Sequence, residues 1–224
     1  MRIDILTLFP EMFAPLNDSI LKRARDKGTL EINIVNIRDF SKDKHLKCDD
    51  APFGGGAGMI MTPQPVCDCI RSVDPAHEAK RIYLSPRGKL LTASAASGYA
   101  LQSRLLLLCG HYEGIDQRII DLYIDEEVSI GDFVLTGGEL PAMILTDVVA
   151  RFVPGVLGSP ESARDESFSD GLLEYPQYTR PQVYEGLSVP EVLLSGHHEN
   201  IEKWRREQSL LITRKNRPDL LENK

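Results

Sequence analysis

Apolar residues gather into short blocks along the chain, at 2–8 (RIDILTL), 30–37 (LEINIVNI), 81–85 (RIYLS) and 104–109 (RLLLLC), each bounded by charged or turn residues. Alternation in the first two and continuity in the last two predict strands. Helical spacing falls between them. Residues 18–27 are closed by Gly28, 63–73 take Thr62 as cap with Pro63 at the first position, and 92–102 take Thr92 as cap. A helix that is apolar all round follows near 139–152, and Pro154 and Gly155 end the regular pattern. Strand and helix alternate, which predicts an α/β fold, a mostly parallel sheet with helices on both faces. The uninterrupted apolar blocks are what strands buried on both faces require.

Two stretches escape this pattern. The long segment between the second strand and the Thr62 helix contains DDAPFGGGAGM and no clear periodicity; loops of that length usually have a function or are disordered. Residues 155–181 are rich in Gly, Pro, Ser and acids and read as an inter-domain linker. Beyond it Ile201, Trp204, Gln208 and Leu211 lie on one helical stripe, with Lys203, Arg205 and Arg206 largely off it, predicting a basic amphipathic helical unit. At about 150 residues per domain, the chain divides into a main domain at 1–157, a flexible linker at 158–178 and a small helical domain at 179–224.

Composition narrows the class. With 42% hydrophobic and 26% charged residues in 224, the chain has an ordinary globular make-up. The longest uncharged run, Ala51 to Cys67, is broken by four glycines and three prolines, so no membrane span is expected. Asp4 and Pro10 spoil the start as a secretory signal, and a cytoplasmic protein is the reading. Cys48, Cys67, Cys69 and Cys109 form no C-x-x-C pair and have no zinc-ligand histidines around them, so they are expected to be buried, reduced thiols. Net charge is −7, but unevenly spread. Six acids and no Lys or Arg lie between Asp121 and Glu139, and six bases against one acid between Lys203 and Arg217, pointing to two different partners.

Three glycine-bearing segments follow three apparent strands: LSPRGK at 84–89, CGHYEGID at 109–116 and SIGDFVLTGGELP at 129–141. In an open parallel sheet, loops of this kind gather at the carboxyl edge, where ligands bind. Gly110, Gly114, Gly131, Gly137 and Gly138 allow backbone to approach a flat polar molecule, although each alone reads equally well as a turn residue. The usual nucleotide signatures are absent. Met59 stands where a third glycine after Gly54 would complete G-x-G-x-x-G, and Glu127 where G-x-S-x-G needs its first glycine. His197, His198 and Glu199 lack H-E-x-x-H spacing and read as a solvated helix start.

Taken in order, FPEMF at 9–13, PFGGGAGM at 52–59, YLSPRGK at 83–89, CGHYEGIDQR at 109–118, IDEEVSIGDFVLTGGELPAM at 124–143, RFVPGVLG at 151–158, SFSDGLLEYPQYTRP at 167–181 and SGHHENIEKWR at 195–205 cover nearly the whole chain. This set resembles the bacterial tRNA (guanine-N1)-methyltransferases. The resemblance implies a homodimeric SPOUT-class enzyme with a trefoil knot. Such an enzyme transfers a methyl group from S-adenosylmethionine to N1 of the guanosine immediately 3′ of the tRNA anticodon, position 37. The main domain would then bind the donor and the small domain the tRNA.

Carried over position by position, the resemblance implies a donor site of Tyr83, Leu84, Ser85, Pro86, Gly110, Ser129, Ile130, Gly131, Asp132, Phe133, Val134, Leu135, Gly137, Gly138 and Pro141. Glu113 corresponds to a functional acid beside donor and base, and Arg151 to the catalytic arginine. By itself Arg151 reads equally as a cation complementing a helix C-terminus. Gly55, Gly56, Lys203, Arg205, Arg206 and Arg214 are the expected tRNA contacts, and Mg²⁺ near Glu113, Asp165 and Glu166 is a candidate helper. The chain also departs from the pattern. Glu166 stands where an Asp general base is usual, with Asp165 beside it; His111 replaces a common arginine, and Ala57 a common proline. Many relatives continue past RPDLLENK. The rival readings are an RNA-binding protein of the same fold that has lost catalysis, and a SPOUT methyltransferase of another RNA site.

Overall fold

The computed structural model describes residues 1–158 and 166–222, which belong to two compact units, Met1–Gly158 and Ser159–Lys224. In the first unit the order is β1 (Arg2–Thr7), a 3-10 stretch (Pro10–Asn17), α1 (Ser19–Asp26), β2 (Glu31–Asn36), a ribbon of β3 (Asp49–Asp50) and β4 (Ile60–Met61), and α2 (Pro63–Val73). Then come β5 (Lys80–Leu90), α3 (Ala93–Ala100), β6 (Arg104–Cys109), α4 (Gln117–Tyr123), β7 (Glu126–Ser129) and α5 (Glu139–Phe152). The main sheet has five strands in the order β2-β1-β6-β5-β7, with every pairing parallel.

Period-two alternation sends each strand's side chains to opposite faces, and the two faces have separate cores. Leu105, Leu107 and Cys109 join Ile3, Ile5 and Ile82 under α1, α3 and α5. Leu106 and Leu108 join Leu6 and Tyr83 under α2 and α4. Every residue from Leu105 to Cys109 is fully buried, which is why that block is apolar without interruption. At the amino ends of the strands the charges are buried too. Asp4 is fully buried and accepts from Arg104 Nε at 2.8 Å and Asn33 Nδ2 at 2.9 Å, while Asp74 accepts from Arg81 Nε at 2.8 Å.

Two expected details change. Thr92 caps α3, accepting from the amide of Ala95 at 3.1 Å, but the Thr62 hydroxyl makes no cap bond and donates to the carbonyl of Cys48 at 3.2 Å. Also, β5 runs on through the expected loop at 84–89. Leu84 and Lys89 both face Val128 of β7, so residues 85–88 swing out of the strand and return. Gly88 permits the return, since a Cβ there would overlap the Glu127–Val128 backbone.

The second unit holds a ribbon of β8 (Val183–Tyr184) and β9 (Leu187–Ser188), followed by α6 (Glu191–Leu194), α7 (His198–Asn216) and α8 (Asp219–Glu222). Residues 166–178, read from sequence as linker, are bonded into it. Leu172 is 2% exposed, and the Leu173 amide donates to Thr213 Oγ1 at 2.8 Å. The buried positions of α7 are Ser209 and Thr213. The expected stripe is therefore rotated, and Leu211 is 55% exposed. This small unit is held partly by hydrogen bonds that satisfy its own backbone, so a polar residue takes the inward place where an apolar one was expected.

Candidate active site

The bulge at 85–88 within β5 and the loops that follow β6 and β7 come from three adjacent strands. They line one cavity of about 340 Å³, within the ~300–1,000 Å³ usual for small-molecule sites. Its walls contain every expected donor-site residue except Asp132, which faces solvent. The wall from β5 is Tyr83, Leu84, Ser85 and Pro86; that from β7 is Ser129, Ile130, Gly131, Phe133, Val134 and Leu135. Gly110, Gly137, Gly138 and Pro141 close the back. Sequence reasoning did not single out Arg87, Tyr112, Ile115, Gln117, Val128 or Thr136, which line it too. Arg87 and Gln117 carry no motif of their own; Arg87 is placed by its ion pair with Glu127 at 3.3 Å.

The glycines act differently from expectation. Rather than clearing space for a ligand, several let the loops touch one another. A Cβ on Gly110 would lie 2.7 Å from the Tyr83 hydroxyl, and one on Gly138 2.7 Å from Cys109 Cα. The Gly138 amide donates to the Gly110 carbonyl at 2.8 Å, and Ser129 Oγ donates to the Gly131 carbonyl at 3.0 Å. Burial, reinforced by the nearby Glu127 carboxylate, pushes the Tyr83 phenol up to about 12, so it stays protonated. Burial likewise raises the Cys109 thiol well above its ordinary value, with Glu139 adding to the effect. Neither group is an activated nucleophile.

Among the described residues, Glu113 is the only carboxylate in the cavity wall. It is held from the other side by the glycine-rich loop. The Glu113 amide donates to the Met59 carbonyl at 3.0 Å, and a Cβ on Gly58 would come within 2.5 Å of the Glu113 side chain. Gly55 and Gly56 sit at the exposed tip of that loop with positive φ. The acids between 121 and 139 do not form one charged surface. Asp125 accepts from the Arg81 amide, Glu127 pairs with Arg87, and Glu139 is buried.

A match to the tRNA (Guanine-1)-methyltransferase TrmD family extends over residues 1–223. The chain belongs to that family. Relatives similar to it include the tRNA (guanine-N(1)-)-methyltransferase of Clostridium botulinum strain Hall, 60% identical over 98% of this chain and 91% of that protein. The protein of the same name from Clostridium perfringens strain ATCC 13124 is 59% identical over 99% of this chain and 94% of its own length. That of Clostridioides difficile strain 630 is 57% identical over 98% and 97%.

Arg151 is not among the residues that line the cavity. It lies in the last turn of α5. At 1.5 Å per residue that is roughly 18 Å along the helix from Glu139 at the cavity end. Glu166 belongs to the second unit, and Asp165 lies outside the described residues. In the second unit Lys203, Arg206 and Arg214 are exposed, Arg206 in an ion pair with Asp170. Arg205 is half-buried over Tyr175, 4.7 Å from the ring centroid. Among the described residues no group of three or more His, Cys, Asp or Glu is placed to hold a metal ion, and no helix is long and apolar enough to cross a membrane.

Proposed function

We propose that the first unit binds S-adenosylmethionine in the cavity beyond β5, β6 and β7, and that the chain methylates N1 of the guanosine immediately 3′ of the anticodon in tRNA. The observation that carries this reading is the convergence of segments from three neighbouring strands on one cavity in a member of this methyltransferase family. When bound, the donor supplies a methyl carbon made electrophilic by a cationic sulfur. The rest falls to the chain. Backbone groups of the three loops orient the donor, apolar Leu84, Ile130, Leu135 and Pro141 exclude water, and Glu113 favours a cation beside it.

Guanine N1 has to lose a proton. A carboxylate titrating near 4.3 is about five units short of that task, a gap worth about 7 kcal/mol. Arg151 narrows it by meeting the negative charge that develops on O6, and Glu166 accepts the N1 proton, with Asp165 beside it. Glu113 alone does not make a Mg²⁺ site, and no step depends on the ion.

A homodimer is part of the proposal. Leu140, Ile144 and Phe152 leave an apolar face exposed on α5, the helix that runs from the cavity to Arg151. In a two-fold contact whose axis crosses α5, the two helices run antiparallel, the end of one beside the start of its mate, which would bring Arg151 of one subunit to the cavity of the other. The trefoil knot and the cytoplasmic setting belong to the same reading through the family. Lys203, Arg205, Arg206, Arg214 and the backbone of Gly55 and Gly56 are the proposed tRNA contacts.

The deciding experiment follows transfer of labelled methyl from the donor to tRNA transcripts with G or A after the anticodon. Incorporation into the G transcript alone is expected. No incorporation with G would overturn the reading.

A further inference from the structure

One polar atom in the cavity wall has no role in that reading. His111 lines the cavity, and its Nδ1 is buried with no hydrogen-bond partner. The ring is held at fixed places, tilted against Phe9 at 4.8 Å and edge-on to Tyr112 at 5.0 Å between centroids. Behind it, 3.9 Å from Nδ1, stands Oε2 of Glu139.

Glu139 opens α5 and is 1% exposed. Its other oxygen accepts from the Thr7 hydroxyl at 2.8 Å, and that hydroxyl in turn accepts from the Phe9 amide at 2.9 Å. One carboxylate oxygen is thus tied to β1 while the other faces the imidazole. Gly137 passes between the two. Any Cβ there would overlap both Glu139 Oε2 and His111 Nδ1, so the approach requires glycine.

Buried polar atoms in folded proteins are nearly always paired, and a buried carboxylate is costly to leave half-satisfied. At 3.9 Å the two groups are about one ångström short of a hydrogen bond. His111 and Gly137 are already joined by an isolated backbone bridge. The side chains therefore connect two of the three loops around the cavity, and the one that carries His111 also carries Gly110 and Glu113.

We propose that Glu139 is a positioning residue for the donor cavity, acting through His111. With donor bound, Nδ1–H closes on Oε2, fixing the 110–114 loop against the head of α5, and Thr7 steadies the carboxylate from behind. The ligand drives the step because it favours the closed loop over the open one. This inference rests on the reading of the cavity as the donor site.

The test measures calorimetric binding of S-adenosylhomocysteine to the full chain, in wild type, Glu139→Gln, His111→Phe and the double variant. Glu139→Gln keeps volume, and His111→Phe keeps an aromatic ring against Phe9 while removing the nitrogen. Each single variant is expected to weaken binding about tenfold, the worth of one charge-assisted hydrogen bond, and the double variant no more than either. The donor KM should rise in step while kcat stays within about twofold, and the ligand-free melting temperature should not move. Losses that add in the double variant, wild-type affinity in Glu139→Gln, or a melting temperature that falls in parallel with affinity would each overturn the pairing. Wild-type protein that binds no S-adenosylhomocysteine would overturn the donor-site reading itself, and this inference with it.

Discussion

Gly138 lies flush against Cys109: a Cβ on the first would stand 2.7 Å from Cα of the second and 2.8 Å from the amide of Gly110. These are backbone atoms at the end of a buried strand, so they cannot yield as a flexible side chain would. Gly138→Val is expected to abolish calorimetric binding of S-adenosylhomocysteine by forcing the loops apart, and to lower the melting temperature by several degrees, as overpacking costing about 1–3 kcal/mol does. Unchanged affinity would place the donor elsewhere.

The cations of α7 divide by environment. Lys203, Arg206 and Arg214 are exposed, Arg206 in an ion pair with Asp170, whereas Arg205 is half-buried over Tyr175. Lys203→Ala and Arg214→Ala should weaken tRNA binding and flatten its salt dependence, since each phosphate contact releases a counterion. Donor binding should be unaffected. Arg205→Ala should instead destabilise the second unit, as loss of a cation–π contact worth about 0.5–2 kcal/mol. Salt-independent tRNA affinity in the wild type would contradict the assignment.

Glu166 and Asp165 are separated by their variants. Glu166→Gln keeps size and hydrogen bonding but removes the base, and should slow single-turnover methyl transfer by about 10² to 10⁴ with tRNA affinity near normal. Glu166→Asp should retain substantial activity. If Asp165→Asn abolishes transfer while Glu166→Gln hardly changes it, the base is Asp165.

Asp74 makes stability depend on pH. Burial alone would push its carboxyl up, but the amide of Glu78, the guanidinium of Arg81 and the amide of Ala79 outweigh burial and hold it below its ordinary value. A lowered folded value means that the contribution is complete above the unfolded value, about 3.9, and is lost as pH falls through the folded one. Asp74→Asn should cost about 3–5 kcal/mol at neutral pH by leaving Arg81 buried without its anion. The urea midpoints of variant and wild type should converge as pH drops from 5 to 3. A constant gap across that range would show that the carboxylate charge is not what stabilises.

Features were legible in the chain where their cause is local. The block from Leu105 to Cys109 shows its burial on two faces directly, and Thr92 caps the helix that begins at the next residue. Gln117–Tyr123 was missed because seven residues make too short a window for helical period. The rest depends on distant partners. Thr62 gives its hydroxyl to Cys48, across the ribbon of β3 and β4, and Leu211 is turned outward because Thr213 receives the Leu173 amide. In the site, the loop residues were legible as motifs, while the bond from Thr7 to Glu139 spans 132 positions and has no one-dimensional signature. Arg151 could be named by resemblance, but its distance along α5 from the cavity required the helix to be seen.

The placement of β1 between β2 and β6 bears on how the chain is made. Arg2 pairs with Glu31 on one side and with Arg104 on the other. A ribosome adding about 5–20 residues per second supplies β2, the first partner, early. It then needs roughly another 4 to 15 seconds before the second partner starts to emerge. Through that interval the nascent strand carrying Ile3, Ile5 and Leu6 presents an unpaired edge, a ready template for another chain. Crowded polysomes and scarce chaperones are therefore the conditions under which synthesis of this protein is most exposed to aggregation.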